Sequence, residues 1–285
     1  MEKRDVIPGF RLAMFLVITG VLSGMLVAGV LIALFIKDFN SDYTNRLSLF
    51  VGEIFIPLPV IVWALVKKVD TGKLFRFNLR NIRPRHIFYT VVLGAGISIL
   101  TDEVDRLIQK IFSYPLKFSY LEEFMKIQDL FTAVYIVVLI LIIAPLIEEM
   151  VFRGFLLRVF EYRIGDVTKA ILLNALIFAI FHFNPWWFVQ IFILGIFMGY
   201  LAWKTDSILL SFTLHFCVNG LSVFFINAGE KVREIYEVSG HVSPVFIVLG
   251  IVFFYIGMRY VNNRIQYVER VYPAETEKED MGEKN

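Results

Sequence analysis

A single cysteine in 285 residues, Cys217, rules out an intramolecular disulfide and any cysteine-based zinc site. Charge is scarce too: Asp, Glu, Lys and Arg make up 19% of the chain, against about a quarter in soluble domains. There is no internal repeat of fixed period and no low-complexity linker, so one domain is the simplest organisation. There is also no HExxH zincin motif, and no serine in an apolar run with partners for a Ser/His/Asp triad. What the chain does have is apolar surface. Hydrophobic residues reach 58%, with 29 Phe, and they are grouped into long runs of the kind a bilayer selects.

These runs predict an all-α, polytopic integral membrane helix bundle of about eight transmembrane helices. The spans fall near 12–36, 47–66, 87–101, 131–148, 168–183, 187–203, 207–227 and 244–261. The run from 131 to 160 reads equally as one long or broken helix, with Pro145 able to bend it. The first run, about 25 residues long, exceeds a signal-peptide core and is followed by no small-residue cleavage site, so a retained helix is expected. With eight spans, 20 of the 28 Lys and Arg residues fall on the side of the termini, seven of them in KKVDTGKLFRFNLRNIRPR. The positive-inside rule then predicts cytoplasmic termini, in a protein of the cell (plasma) membrane. Residues 1–268 form the membrane domain, SYLEEFMKIQDLF reads as an interfacial amphipathic helix, and 269–285 as a disordered polar tail. The expected surroundings are the lipid bilayer, whose anionic headgroups the basic loop 67–85 could attract, and no nucleic acid.

Polar residues inside the apolar runs are few, and they group. LIIAPLIEEMVFRGFLLRVF carries Glu148, Glu149 and Arg153; KAILLNALIFAIFHFNPWW carries Asn174 and His182; SILLSFTLHFCVNGLSVFF carries His215 and Asn219. Ionisable groups in such settings face the bundle interior and mark function. Glu149 and Arg153, four apart, share a helix face and can pair, whereas Glu148 is turned about 100° away and lacks that partner. Asn174, Phe178 and His182 form one stripe, and His215 and Asn219 another. Glu148 lies 17 residues before Gly165 and His182 lies 17 after it, which sets them at one level of an antiparallel hairpin.

Each element alone has a structural explanation: an ion pair within a helix, an interfacial histidine before Asn-Pro, a His-Asn bridge between helices. Together they suit amide hydrolysis. A carboxylate and a histidine can activate water, while a second histidine and an asparagine can donate to the developing oxyanion. Zinc held by Glu148, His182 and His215 is the competing reading, and the positive charge of Arg153 disfavours it. No cofactor is the preferred expectation.

The motifs resemble those of the CPBP family of intramembrane proteases, which includes the type II CAAX prenyl endopeptidases. EExxxR appears as Glu148-Glu149-MVF-Arg153, FxxxH as Phe178-AIF-His182 and HxxxN as His215-FCV-Asn219, in order over about residues 140–225. The resemblance implies an eight-helix bundle with Glu148 and His182 activating water. It also implies Glu149 and Arg153 as their support, His215 with Asn219 as the oxyanion site, and Phe178 shaping the pocket. The implied partner is a membrane-anchored protein or lipidated peptide, prenylated CaaX tails among them. Relatives in bacteriocin immunity make a non-catalytic immunity or scaffold protein the alternative. A proton-linked transporter comes third, because no Gly/Pro-broken paired halves are visible.

Overall fold

A computed structural model describes residues 6–35, 41–80, 82–112 and 124–269. The helices are α1 (Phe10–Phe35), α2 (Ser41–Phe55), α3 (Leu58–Val66), α4 (Thr71–Leu74), α5 (Pro84–Ile111) and α6 (Leu130–Ile164), then α7 (Val167–Ile180), α8 (Phe188–Thr205), α9 (Ile208–Asn227), α10 (Glu230–Tyr236) and α11 (Pro244–Arg264). Between α10 and α11 lies an antiparallel hairpin of β1 (Glu237–Val238) and β2 (His241–Val242). Among the described residues, seven spans are long and apolar enough to cross a membrane: α1, α2–α3, α5, α6, α8, α9 and α11. The chain is therefore a polytopic helical membrane protein. Most of the expected interfacial helix, and the tail from 270, lie outside the described residues.

Two expected spans differ from the sequence reading. The third runs to Ile111, so the charged stretch from 102 to 111 continues the helix. Its polar groups are satisfied locally and by the hairpin: Arg106 pairs with Asp102 at 3.2 Å, Gln109 donates to Asp105 at 2.7 Å, and the Val242 amide donates to Glu103 at 2.7 Å. The fifth, α7, has only 14 residues, about 21 Å at 1.5 Å each and short of a hydrocarbon core of about 30 Å. Irregular backbone at membrane depth survives only where protein or a cavity surrounds it. The turn after α7 meets that condition. Asn184 is buried, and its Oδ1 accepts from the amides of Trp186 at 3.1 Å and Trp187 at 3.3 Å.

α6 is the axis of the bundle. Residues 151–162 are all buried, so this half of the helix is enclosed on every side. The helix stays unbroken through Pro145 but winds as π-helix over Ile136–Ile143 and Glu149–Leu156, a rare form concentrated at functional sites. Its far end is closed by a second buried network. Arg76 pairs with Glu161 at 2.7 Å, and Arg158 donates to the Lys73 carbonyl. Gly165 then ends α6 in the left-handed region (φ 72°), and Asp166 caps α7 by accepting from the Lys169 amide.

Lipid offers no hydrophobic drive between helices, so close backbone approach between small residues does that work. α5 packs against α11 at Gly257, where a Cβ would stand 2.6 Å from Leu93 Cβ and 2.7 Å from its Cα. Gly257→Ala is expected to destabilise the protein by about 1–3 kcal/mol through overpacking. Thermal unfolding in detergent measures this; an unchanged midpoint would mean the interface yields freely.

Candidate functional site

Glu148 and Glu149 follow one another on α6 but meet different surroundings. Glu149, fully buried, accepts from Arg153 Nη1 at 3.0 Å, the pairing its i, i+4 spacing predicts. The same oxygen accepts from His215 Nδ1 at 3.1 Å, tying α9 to α6. Glu148 is 20% exposed and borders a cavity, and its buried Oε2 has no hydrogen-bond partner. His215 Nε2 lies 3.7 Å from that oxygen. His215 thus bridges the two carboxylates with its two ring nitrogens.

His182 reaches the same cavity from the end of the short α7 and is an electrostatic neighbour of Glu148. Its Nδ1 donates to the Phe178 carbonyl, 2.8 Å away, which leaves Nε2 as the acceptor of the neutral ring. Phe178 organises the rings. The Arg153 guanidinium lies over its face at 3.9 Å, the His182 ring meets it edge-on at 4.6 Å, and His215 does so at 6.0 Å. The motif phenylalanine therefore holds Arg153 and both histidines in register by cation–π and edge contacts.

Both asparagines secure the π-helical stretches of α6. Asn174 Nδ2 donates to the Phe152 carbonyl at 2.9 Å, and Asn219 Nδ2 to the Ile140 carbonyl at 3.1 Å. Asn174 is fully buried and away from the cavity lining, so it is a tether; Asn219 lines the cavity as well. Trp187, in the turn after α7, also lines it.

The cavity holds about 590 Å³. It is lined by Glu148, His182 and His215, by apolar residues including Ile140, Leu194 and Val218, and by Asp102, Asp105, Arg106 and Gln109 of α5 with the exposed Arg233 and Glu237. Tyr236 closes one side there: burial, then the Asp102 carboxylate that accepts its hydroxyl at 2.8 Å, push its phenol far above the ordinary range.

Sequence reasoning missed Glu53. It lies on α2, which packs against the Ala144–Glu148 turn of α6, its Oε2 is buried without a hydrogen-bond partner, and it is an electrostatic neighbour of Glu148. The signal was available, since Glu53 is a carboxylate inside the apolar run 47–66. Two histidines given no role are structural here: His86 Nδ1 accepts from the Arg83 amide at the start of α5, and His241 Nδ1 meets Glu103 at 2.6 Å.

The Nδ1 partners of His182 and His215 would suit a metal ligand as well as a proton carrier. Among the described residues no three His, Cys, Asp or Glu side chains form a group able to hold a metal ion.

Fold and site together define a helical membrane protein whose buried polar residues, from three neighbouring helices, converge on one cavity inside the bundle. Residues 130–221 match the family described as type II CAAX prenyl endopeptidase Rce1-like, and the matched segment carries the three motifs. No curated protein and no solved structure matches the chain.

Proposed function

We propose that this protein is an intramembrane endopeptidase that hydrolyses a peptide bond of a membrane-associated protein or peptide, using water activated by Glu148 and His182. The observation that carries this reading is the division between the adjacent glutamates. Glu149 is held by Arg153 and His215, whereas Glu148 faces the cavity with one oxygen unpartnered. A carboxylate beside the free Nε2 of His182 suits a water that must be held and deprotonated. The water oxygen bonds to the scissile carbonyl carbon and its proton passes to Glu148. The C–N bond then breaks, and the leaving amine takes that proton back.

His215 and Asn219 are assigned to the oxyanion. His215 already serves Glu149 through Nδ1–H, so it donates from Nε2 only when it carries both ring protons. Asn219 uses one amide hydrogen on Ile140 and has a second for the oxyanion. No step requires a metal.

Purified protein in lipid nanodiscs, given prenylated CaaX peptides and a panel of membrane-protein peptides, tests the proposal by mass spectrometry. Cleavage is expected to persist under strong chelation and to fall about 10²–10⁴-fold in His182→Ala. Undiminished cleavage by His182→Ala would sink the assignment. Loss on chelation that zinc restores would return zinc to Glu148, His182 and His215.

A further inference from the structure

Glu53 is a buried carboxyl group that the chemistry above does not use. It is the single charged residue between 47 and 66, in a span that otherwise reads as membrane helix. α1 fixes its direction. Gly24 and Gly52 meet backbone to backbone: a Cβ on Gly24 would stand 2.6 Å from the Gly52 carbonyl oxygen, and one on Gly52 would stand 2.8 Å from that of Gly24. Successive residues of a helix are turned about 100° apart, so with Gly52 held on α1 the next residue leaves that contact. α2 packs as well on the Ala144–Glu148 turn of α6, which ends at the proposed base.

Both carboxyl groups are short of a donor. Glu53 Oε2 and Glu148 Oε2 are each buried without a hydrogen-bond partner, and the two residues interact electrostatically. The elements around Glu53 bring it no paired cation. α1 carries only Arg11, in its first turn, and α3 carries no charge. α6 brings Tyr135, Glu148, Glu149 and Arg153, and that arginine is held by Glu149 at 3.0 Å and by the Phe178 ring. Arg46, seven residues before Glu53 on α2, lies over the rings of Phe124 and Tyr135. Two neighbouring carboxyl groups so placed cannot both hold a negative charge.

We propose that Glu53 is a positioning residue for Glu148: the two carboxyl groups hold one proton between them, carried on Glu53 and donated toward the Glu148 carboxylate. This rests on the proteolytic reading above. The shared proton supplies the donor that both groups lack, and it leaves Glu148 as the acceptor of the pair and so as the base. A fixed donor also restricts rotation of the Glu148 carboxylate, which keeps a general base in the geometry that proton transfer needs. During the reaction the proton of the attacking water passes to Glu148 and from there to the leaving amine. The Glu53 proton is not consumed.

Infrared spectroscopy of the protein in lipid nanodiscs at neutral pH reads the shared proton without any need for cleavage. The difference between wild type and Glu53→Gln is expected to show one C=O band of a protonated carboxyl group. In Glu148→Gln that band is expected to move to higher frequency, because its acceptor is no longer charged. No such band in the difference, or a band that Glu148→Gln leaves in place, overturns the inference. In the cleavage assay Glu53→Leu is expected to lower kcat about 10–100-fold with KM unchanged, the worth of one hydrogen bond to a charged group. Glu53→Gln keeps a donor and is expected to lose less; equal losses in the two variants would assign Glu53 to packing and overturn the inference too. A wild type that cleaves nothing sinks the proteolytic reading, while the infrared bands still decide whether Glu53 and Glu148 share a proton.

Discussion

Glu148→Gln is expected to lower kcat by about 10²–10⁴-fold, the usual contribution of a positioned general base, with KM nearly unchanged. The substitution keeps the shape of the side chain and removes its ability to take a proton. KM holds because the apolar walls that bind substrate are untouched, while the lost interaction belongs to the transition state. Single-turnover cleavage in nanodiscs, wild type against Glu148→Gln, measures both quantities. Equal rates would remove Glu148 from the chemistry and favour a protein that binds a peptide without cutting it. The control is the adjacent Glu149, which the geometry assigns to a different task.

The second large effect concerns that neighbour. Arg153→Met is expected to cost about 3–5 kcal/mol of stability, the range found when one partner of a buried ion pair is removed. Both side chains are fully buried, and Arg153 also lies over the Phe178 ring at 3.9 Å, so two attractions vanish together. What remains is a carboxylate midway along a membrane helix with the His215 ring and the Ser211 hydroxyl against it but no cation paired to it within its own helix. Glu149→Gln combined with Arg153→Met is expected to recover part of the loss, because no unpaired charge is left. Chemical unfolding in detergent followed by tryptophan fluorescence reads both variants. A double variant no more stable than Arg153→Met would assign the role of Arg153 to packing on Phe178.

Much of this site is legible in one dimension because its main devices are local. Glu149 and Arg153 meet because four residues make about one helical turn. Phe178 and His182 pair for the same reason, and the His182 ring is fixed by a carbonyl of its own helix. The apolar runs likewise announce their spans, since the bilayer demands a minimum length of low charge. The reading fails where satisfaction comes from a distant segment. Residues 102–111 look like an interruption, yet the hairpin 237–242 supplies partners that let α5 continue through them. Asn184 looks like part of a surface turn, yet it satisfies backbone amides beside the cavity.

The sequence by itself determined the helical membrane class, the motif residues and the pairing of Glu149 with Arg153 that leaves Glu148 outside it. All of these follow from hydropathy and helical period, which are properties of neighbouring residues. Only the tertiary structure decided that His215 lies between both carboxylates and that Glu53 stands near Glu148. Those facts depend on which helices touch. In a membrane that choice is made by close packing at small residues such as Gly257 and by interhelical hydrogen bonds such as Asn219 to Ile140, neither of which leaves a periodic trace in the chain.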